Sequence, residues 1–311
     1  MGKIKSAGRK KAEFIRGIGH GKILFNVDTS KLSSIKAGGR ALCYFIAEDN
    51  TGLKRIIKTC MENKIDYMVV GDCTNILFSD KYIDMVLIKL GRGFNYINFE
   101  GENNVRAGAA INFLKYIIKS ASRGLDFSKF SGIPGTLGGV IAGNGGTGKE
   151  GICDYIKEID CITNDNDEVV EKSISLSKND FGYRYLDVKG LAAVTGAVLS
   201  ADKSGKRSII NKVKKNIDRK KLVQPVKARS SGCFFKNLDG ESRSAGELID
   251  RCGLKGFKYG GARVSEKHAN YIENFKNASA EDVLVLSRIV RDIVMDKFNK
   301  KLEYEVKLVG F

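Results

Sequence analysis

The chain has only two histidines, His20 and His268, among 311 residues, too few for a histidine-rich metal centre. Its seven cysteines (Cys43, Cys60, Cys73, Cys153, Cys161, Cys233 and Cys252) are odd in number and contain no C-x-x-C pair. That argues against a disulfide framework and against a zinc site, so no metal is expected and a reducing cytoplasm suits the thiols. No apolar run reaches the roughly 20 residues of a membrane span. Met1–Lys22 is basic but lacks the continuous apolar core of a signal peptide. Met1–Ser6 fits the short myristoylation pattern, which six residues match easily by chance. Low-complexity tracts and internal repeats are absent. Acidic residues are the minority, 36 against 53 lysines and arginines, for a net charge of +17. Such a surface could bind nucleic-acid backbones or draw in small polyanionic substrates. The lysines are spread along the chain apart from Met1–Lys22 and Lys206–Lys221, which does not single out a nucleic-acid face. The 42% hydrophobic content and the length allow two globular domains.

What is present in excess is glycine, concentrated in Phe130–Gly151, FSGIPGTLGGVIAGNGGTGKEG, with nine glycines. Glycine costs about 0.5–1 kcal/mol inside regular structure, so this stretch reads as sharply bent backbone placed close to something. Apolar Ile133, Leu137, Val140, Ile141 and Ala142 interleave the glycines, unlike a flexible linker. Pro134, one of only two prolines, stiffens the first turn. Successive N–H groups in such turns can cradle phosphate oxygens. Two familiar phosphate motifs nearly fit and fail. Gly143, Gly145 and Gly148 spell G-x-G-x-x-G, but Lys149-Glu150-Gly151 is a poor helix start. The P-loop pattern ends here in Glu150 where a hydroxyl is required.

Residues 1–30 read as a basic arm with one short helix, and a strand-like stretch follows from Ser34. A helix is expected at Gly52–Asn63 with Leu53, Ile56, Ile57 and Cys60 on one face. Asp66–Val70 reads as a buried strand running into a second tight turn, Gly71-Asp72-Cys73-Thr74-Asn75, and then Ile76–Phe78. Met85–Leu90 and Tyr96–Phe99 are short strands, and Asn112–Ser122 is an amphipathic helix. Glu158–Thr163 and Glu168–Glu171 flank the turn Asn164–Asp167 as a hairpin. Leu191–Leu199 is a strand and Ser208–Lys220 a basic helix. Ser279-Ala280-Glu281-Asp282 is a capping box opening a helix to about Phe298. Its inner face should be Val283, Leu286, Ile289, Val290 and Ile293. Leu302–Val309 closes the chain as a strand. The division expected is a basic arm at 1–33, a domain at 34–202 and a second at 203–311, with flexible Lys203–Arg207 at the junction.

Nine segments in order resemble the UDP-N-acetylenolpyruvoylglucosamine reductase family. They are Ser34–Ala41, Gly71–Asp80 (GDCTNILFSD), Gly132–Gly148, Phe181-Gly182-Tyr183-Arg184, Gln224-Pro225, Ser231–Asn237 (SGCFFKN), Ala245–Gly256 (AGELIDRCGLKG), Val264–Asn274 (VSEKHANYIEN) and Leu302–Gly310 (LEYEVKLVG). The resemblance implies an α+β protein: an FAD-binding domain of the vanillyl-alcohol-oxidase type, then a smaller α+β substrate domain. It implies that NADPH reduces the flavin and leaves. UDP-N-acetylglucosamine enolpyruvate then accepts hydride at C3 while a protein acid protonates C2. FAD is expected on Gly71, Asp72, Cys73, Thr74 and Asn75 and on Ile133, Pro134, Gly135, Thr136, Gly138 and Gly139. A valine at Gly135 or Gly138 is expected to bar it.

By the same resemblance Arg184 and Glu305 polarise the enolpyruvyl carboxylate and Cys233 donates the proton. Tyr183, Lys221, Asn237 and His268 hold the substrate. The 49-residue step from Arg184 to Cys233 matches the branch lacking an extra tyrosine-bearing loop. A cytoplasmic monomer without membrane or specific nucleic-acid partner is implied. Two rivals stay open: another flavoprotein oxidoreductase of the superfamily, and a non-catalytic basic protein binding nucleic acid. The colour of the purified protein separates the second from the others.

Overall fold

The computed structural model describes residues 6–147, 150–166 and 168–311. Gly148, Lys149, Asp167 and the Met1–Lys5 part of the myristoylation pattern lie outside the described residues. The chain forms two compact units that are discontinuous in sequence. The first comprises Met1–Asn26, Leu42–Gly71 and Asp84–Asp218, and the second Val27–Ala41, Asp72–Ile83 and Arg219–Phe311. The segments 27–41 and 72–83, which lie before residue 203 in the chain, pack with the C-terminal part.

The first unit is built on two sheets. One runs in the order Gly21–Asp28, Arg40–Ala47, Ile83–Leu90, Asp66–Val70. Its last two strands are parallel, in register from Asp66 opposite Met85 to Val70 opposite Lys89. The helix Asn50–Glu62 starts where the Asp49 carboxylate accepts the Gly52 N–H, and it buries Leu53, Ile56, Ile57 and Cys60 as its 3–4 spacing requires. The other sheet has the order Glu168–Ile174, Ile156–Asp165, Leu191–Ser200, Asn104–Gly108, Ile97–Glu100. Its neighbouring strands run antiparallel. The expected hairpin pairs from Asp165 opposite Glu168 to Ile159 opposite Ile174. Asn104–Gly108 carries no expectation from sequence, because five residues with Arg106 and two small side chains give no alternation. Under the glycine stretch, Phe130 sits 6.4 Å from the Phe113 ring and 5.3 Å edge-on to Tyr155.

The second unit packs a four-stranded sheet, ordered Ser230–Cys233, Tyr271–Asn274, Ala262–Val264, Lys258–Tyr259, with the helices Ala245–Arg251 and Ala280–Phe298. Its core joins Ile35, Leu77, Phe234, Phe235, Val283 and Val290. The capping box at Ser279 is present, and the Asp80 carboxylate adds acceptors for the Ala280 and Glu281 amides at 3.0 and 2.9 Å.

Three expectations are corrected. The glycine stretch holds a helix, Leu137–Ala142, whose N-cap Thr136 accepts from Gly139 N–H; the interleaved apolar side chains outweigh the cost of its two glycines. The C-terminal helix buries Leu284 and Val294 and leaves Ile289 and Ile293 only half-buried, so its inner face is rotated. The final strand is confined to Lys307–Val309, parallel to Ile76–Phe78, with a single bridge between Tyr304 and Phe235 ahead of it.

Candidate active site

Within the first unit the two glycine turns meet. A Cβ placed on Gly71 would lie 2.7 Å from Thr136 Oγ1, and one on Gly139 would lie 3.9 Å from the Gly71 Cα. Glycine at both positions lets the two turns pack closely, and successive N–H groups in such turns can cradle phosphate oxygens. Gly132 and Gly135 hold φ of +87° and +107°. The first three amides of the short helix are spent internally: Leu137 N–H on Ile111 O, Gly138 N–H on Ala109 O, and Gly139 N–H on Thr136 Oγ1. In the turn that precedes the helix Ile133 is half-buried, with its N–H on Phe130 O, and Pro134 is exposed.

The valine expectation changes accordingly. At Gly138 an added Cβ would strike the Ala109 Cβ at 2.7 Å, and at Gly135 the positive φ alone strains any branched residue. Both variants would damage the fold. Gly139 is the informative position, because its added methyl meets only Thr136 Oγ1 at 3.4 Å and the Gly71 Cα at 3.9 Å. Gly139→Ala is expected to weaken FAD binding about tenfold or more, a loss of roughly 1.4 kcal/mol. The thermal midpoint should stay at or above the parent's, since alanine is favoured in a helix. A flavin-fluorescence titration beside a melting curve checks both, and unchanged affinity would place the cofactor elsewhere.

The same unit displays Arg184. Phe181–Gly182 and Tyr185–Leu186 pair as a tight hairpin with Tyr183–Arg184 as its loop. Arg184 lies at φ +65°, in the left-handed region that costs a non-glycine residue roughly 1–2 kcal/mol. Its guanidinium carbon stands 4.8 Å from the centre of the exposed Tyr183 ring, and Nη2 donates to Gly146 O at 3.3 Å. Buried Asn144 secures the hairpin. Its Nδ2 donates to Gly182 O at 2.8 Å, and its Oδ1 accepts the Cys153 N–H at 3.0 Å. Sequence reasoning passes over Asn144, because an asparagine among glycines reads as a turn residue.

The second unit holds Cys233 and Glu305. From Ser230 opposite Glu273 to Cys233 opposite Tyr271, the first strand advances three residues and its partner two, a bulge that Gly232 accommodates at φ +79°. Just beyond, Phe234 and Phe235 are fully buried, and both are tied to Asn270. Phe234 N–H donates to Asn270 O, Phe235 N–H to Asn270 Oδ1, and Asn270 Nδ2 to Phe235 O. Glu305 N–H donates to Phe234 O at 2.9 Å, which brings the Glu305 backbone alongside the segment carrying Cys233. Asn75 Nδ2 donates to Glu305 O at 3.0 Å, so the Asn75 end of the 71–75 turn is fastened to the Glu305 backbone. Asp72 is exposed and Thr74 half-buried, while Cys73 is buried at φ +49° with its carbonyl accepting from Ser34 N–H.

His268 Nδ1 accepts the Asn270 N–H at 3.3 Å, leaving its proton on Nε2. Burial pulls its pKa down and keeps the ring neutral. Asn237 Oδ1 accepts the Ala245 N–H at 3.0 Å. Lys221 is exposed, and its carbonyl accepts from Lys267 Nζ. Sequence reasoning assigned no role to Asn270 and Tyr271, although both lie in the Val264–Asn274 segment beside His268. A cavity of about 570 Å³ in the first unit, lined by Asp49, Tyr96, Asp160 and Glu171 among others, contains none of the expected site residues. Among the described residues no cluster of three or more histidines, cysteines or carboxylates could hold a metal ion. No helix among them is long and apolar enough to cross a membrane.

The chain is similar to known proteins in sequence and fold. Residues 224–309 match the family described as UDP-N-acetylenolpyruvoylglucosamine reductase, C-terminal domain, and residues 41–172 match an FAD binding domain. A UDP-N-acetylenolpyruvoylglucosamine reductase of Wolbachia sp. subsp. Drosophila simulans is 34% identical over 95% of this chain and 97% of its own. Another from Orientia tsutsugamushi (strain Boryong) is 35% identical over 94% of this chain and 95% of its own. The crystal structure of the Thermus caldophilus enzyme superposes with a TM-score of 0.76 at 28% identity, covering 93% of this chain and 99% of that one. The fold is α+β, an FAD-binding domain followed by the reductase C-terminal domain, and the chain belongs to the UDP-N-acetylenolpyruvoylglucosamine reductase family.

Proposed function

We propose that this protein is a cytoplasmic, monomeric enzyme that reduces UDP-N-acetylglucosamine enolpyruvate to UDP-N-acetylmuramate with NADPH, in peptidoglycan precursor synthesis. The observation that carries the reading is the Cys233 bulge: a thiol fixed between Gly232 and two buried phenylalanines, with Glu305 bonded to the same segment. The glycine cradle of Gly71, Thr136 and Gly139 fits a flavin diphosphate, with Ile133, Pro134, Gly135 and Gly138 shaping it. Asp72, Cys73, Thr74 and Asn75 continue that turn. FAD, when bound, supplies the hydride chemistry that links NADPH to the enolpyruvyl carbon.

The protein's own groups supply the rest. Cys233 gives its proton to C2, a task suited to a thiol held at a fixed place. Arg184 stabilises the negative charge that develops on the substrate carboxylate, and its strained, Asn144-anchored loop fixes the guanidinium in advance. Glu305 polarises the same group. Tyr183, Lys221, Asn237 and neutral His268 hold the sugar nucleotide, and the +17 charge favours its capture.

The purified protein should be yellow, and its NADPH oxidation should rise sharply when UDP-N-acetylglucosamine enolpyruvate is added, with UDP-N-acetylmuramate as the product. A yellow protein whose NADPH oxidation ignores that substrate would instead favour another flavoprotein of the superfamily.

A further inference from the structure

Tyr271 stands directly opposite Cys233 in the antiparallel pair, so the two side chains leave the same face of the sheet. Beside burial, Cys233 and Glu305 are the groups that act on its hydroxyl. Its ring is packed edge-on against His268, 5.0 Å between centroids. Three residues expected at the site thus converge on one side chain that is not itself among the expected site residues. We propose that Tyr271 is the positioning residue of the proton donor: its O–H donates to Cys233 Sγ, aims the S–H away from the strand pair, and then holds the thiolate left after the proton is delivered.

The chemistry balances. The S–H bond of Cys233 breaks as the C2–H bond forms, the electron pair stays on sulfur, and Tyr271 keeps its own proton while donating to the anion. A water-derived proton restores the thiol before the next turnover. Tyr271 is suited to giving a hydrogen bond without giving up a proton. Burial chiefly, and then the neighbouring Cys233 and Glu305, push its pKa well above the usual phenol range. The charged or titratable groups around the pair are Glu305 and His268, with Lys255 and Asp250 acting on the imidazole. A thiol offers one hydrogen, so accepting from Tyr271 leaves that hydrogen for the substrate.

This role rests on the reading of Cys233 as the acid, and the test separates the two. Tyr271→Phe keeps the ring on His268 and removes only the hydroxyl. Flavin reduction by NADPH should stay within about twofold of the parent, and reoxidation by the enolpyruvyl substrate should slow about tenfold, as expected for losing a hydrogen bond to a charged group. The same variant should raise by about one unit the pH at which iodoacetamide alkylates Cys233, read by mass spectrometry of its peptide.

That reading needs no turnover and is selective. Burial pushes Cys43, Cys60 and Cys153 up to about 12 and Cys161 up to about 11. Only Cys233 and Cys252 are not buried. An unmoved alkylation midpoint, or equal slowing of both half-reactions, would overturn the role of Tyr271. Parental turnover in Cys233→Ala would overturn the acid assignment and the delivery role built on it, while a shifted midpoint would still establish the Tyr271–Cys233 bond.

Discussion

Cys233→Ala is expected to slow reoxidation of the reduced flavin by UDP-N-acetylglucosamine enolpyruvate on the order of 10²-fold or more, the usual cost of losing a positioned acid. NADPH reduction of the flavin should be nearly untouched, because no proton is delivered to C2 in that half. The fold should tolerate the change. The segment is held by the backbone of Phe234, the Asn270 amide and the Glu305 N–H, none of which involves the thiol. Cys233→Ser should retain much of the activity, since a hydroxyl fits the same bulge. The two donors then differ in their response to pH. A thiol is lost as an acid when pH rises through its pKa, so the parent's second half-reaction should fall at alkaline pH and the serine variant's should not. An alanine variant that turns over like the parent would shift the proton-donor role to Ser230 or Ser231. Ser231 is the weaker of these, being buried with its hydroxyl committed to Ile76 O at 3.3 Å.

Arg184→Ala and Glu305→Gln should each cost roughly 10²–10³-fold in the same half-reaction, the range typical of removing a charge-stabilising group. The structure makes Glu305→Gln the cleaner of the two. The Glu305 backbone, not its carboxylate, makes the bonds to Phe234 O and Asn75 Nδ2, so the local fold should survive neutralising the side chain. Arg184→Ala removes the contact to Gly146 O and the stacking on Tyr183, but leaves Asn144 gripping Gly182. Alanine at φ +65° keeps the backbone strain, so Arg184→Gly should be the more stable variant and equally slow. Stopped-flow traces with NADPH and then with the enolpyruvyl substrate separate the halves. Equal losses in both would assign these residues to the fold or to the cofactor instead.

Local pattern was enough for much of the first unit. The bounds of the strand Asp66–Val70 are read to the residue, although only Val70 in it is buried, and Leu53, Ile56, Ile57 and Cys60 face inward as their spacing demands. The helix capped at Ser279 begins where its capping box places it, because a cap is satisfied within four residues. The failures share a cause. Leu302–Val306 alternates like a strand, yet it meets a neighbour only at the Tyr304–Phe235 bridge, and the ladder forms at Lys307–Val309 on Ile76–Phe78, more than 200 residues earlier. The inner face of Ala280–Phe298 turned because the core it meets, not its own periodicity, selects which apolar residues are covered.

The candidate site divides the same way. Sequence by itself determined the glycine turns, the family and the candidate chemical groups, since backbone freedom and residue type are local properties. Only the tertiary structure showed that Gly71 and Gly139 face each other, and that Asn144 anchors the Arg184 loop while Asn270 ties down the Phe234–Phe235 segment beyond Cys233. It alone set Tyr271 opposite Cys233. That pairing depends on a one-residue bulge at Gly232. Without it the register slips by one, and a one-residue slip turns a side chain to the opposite face of the sheet.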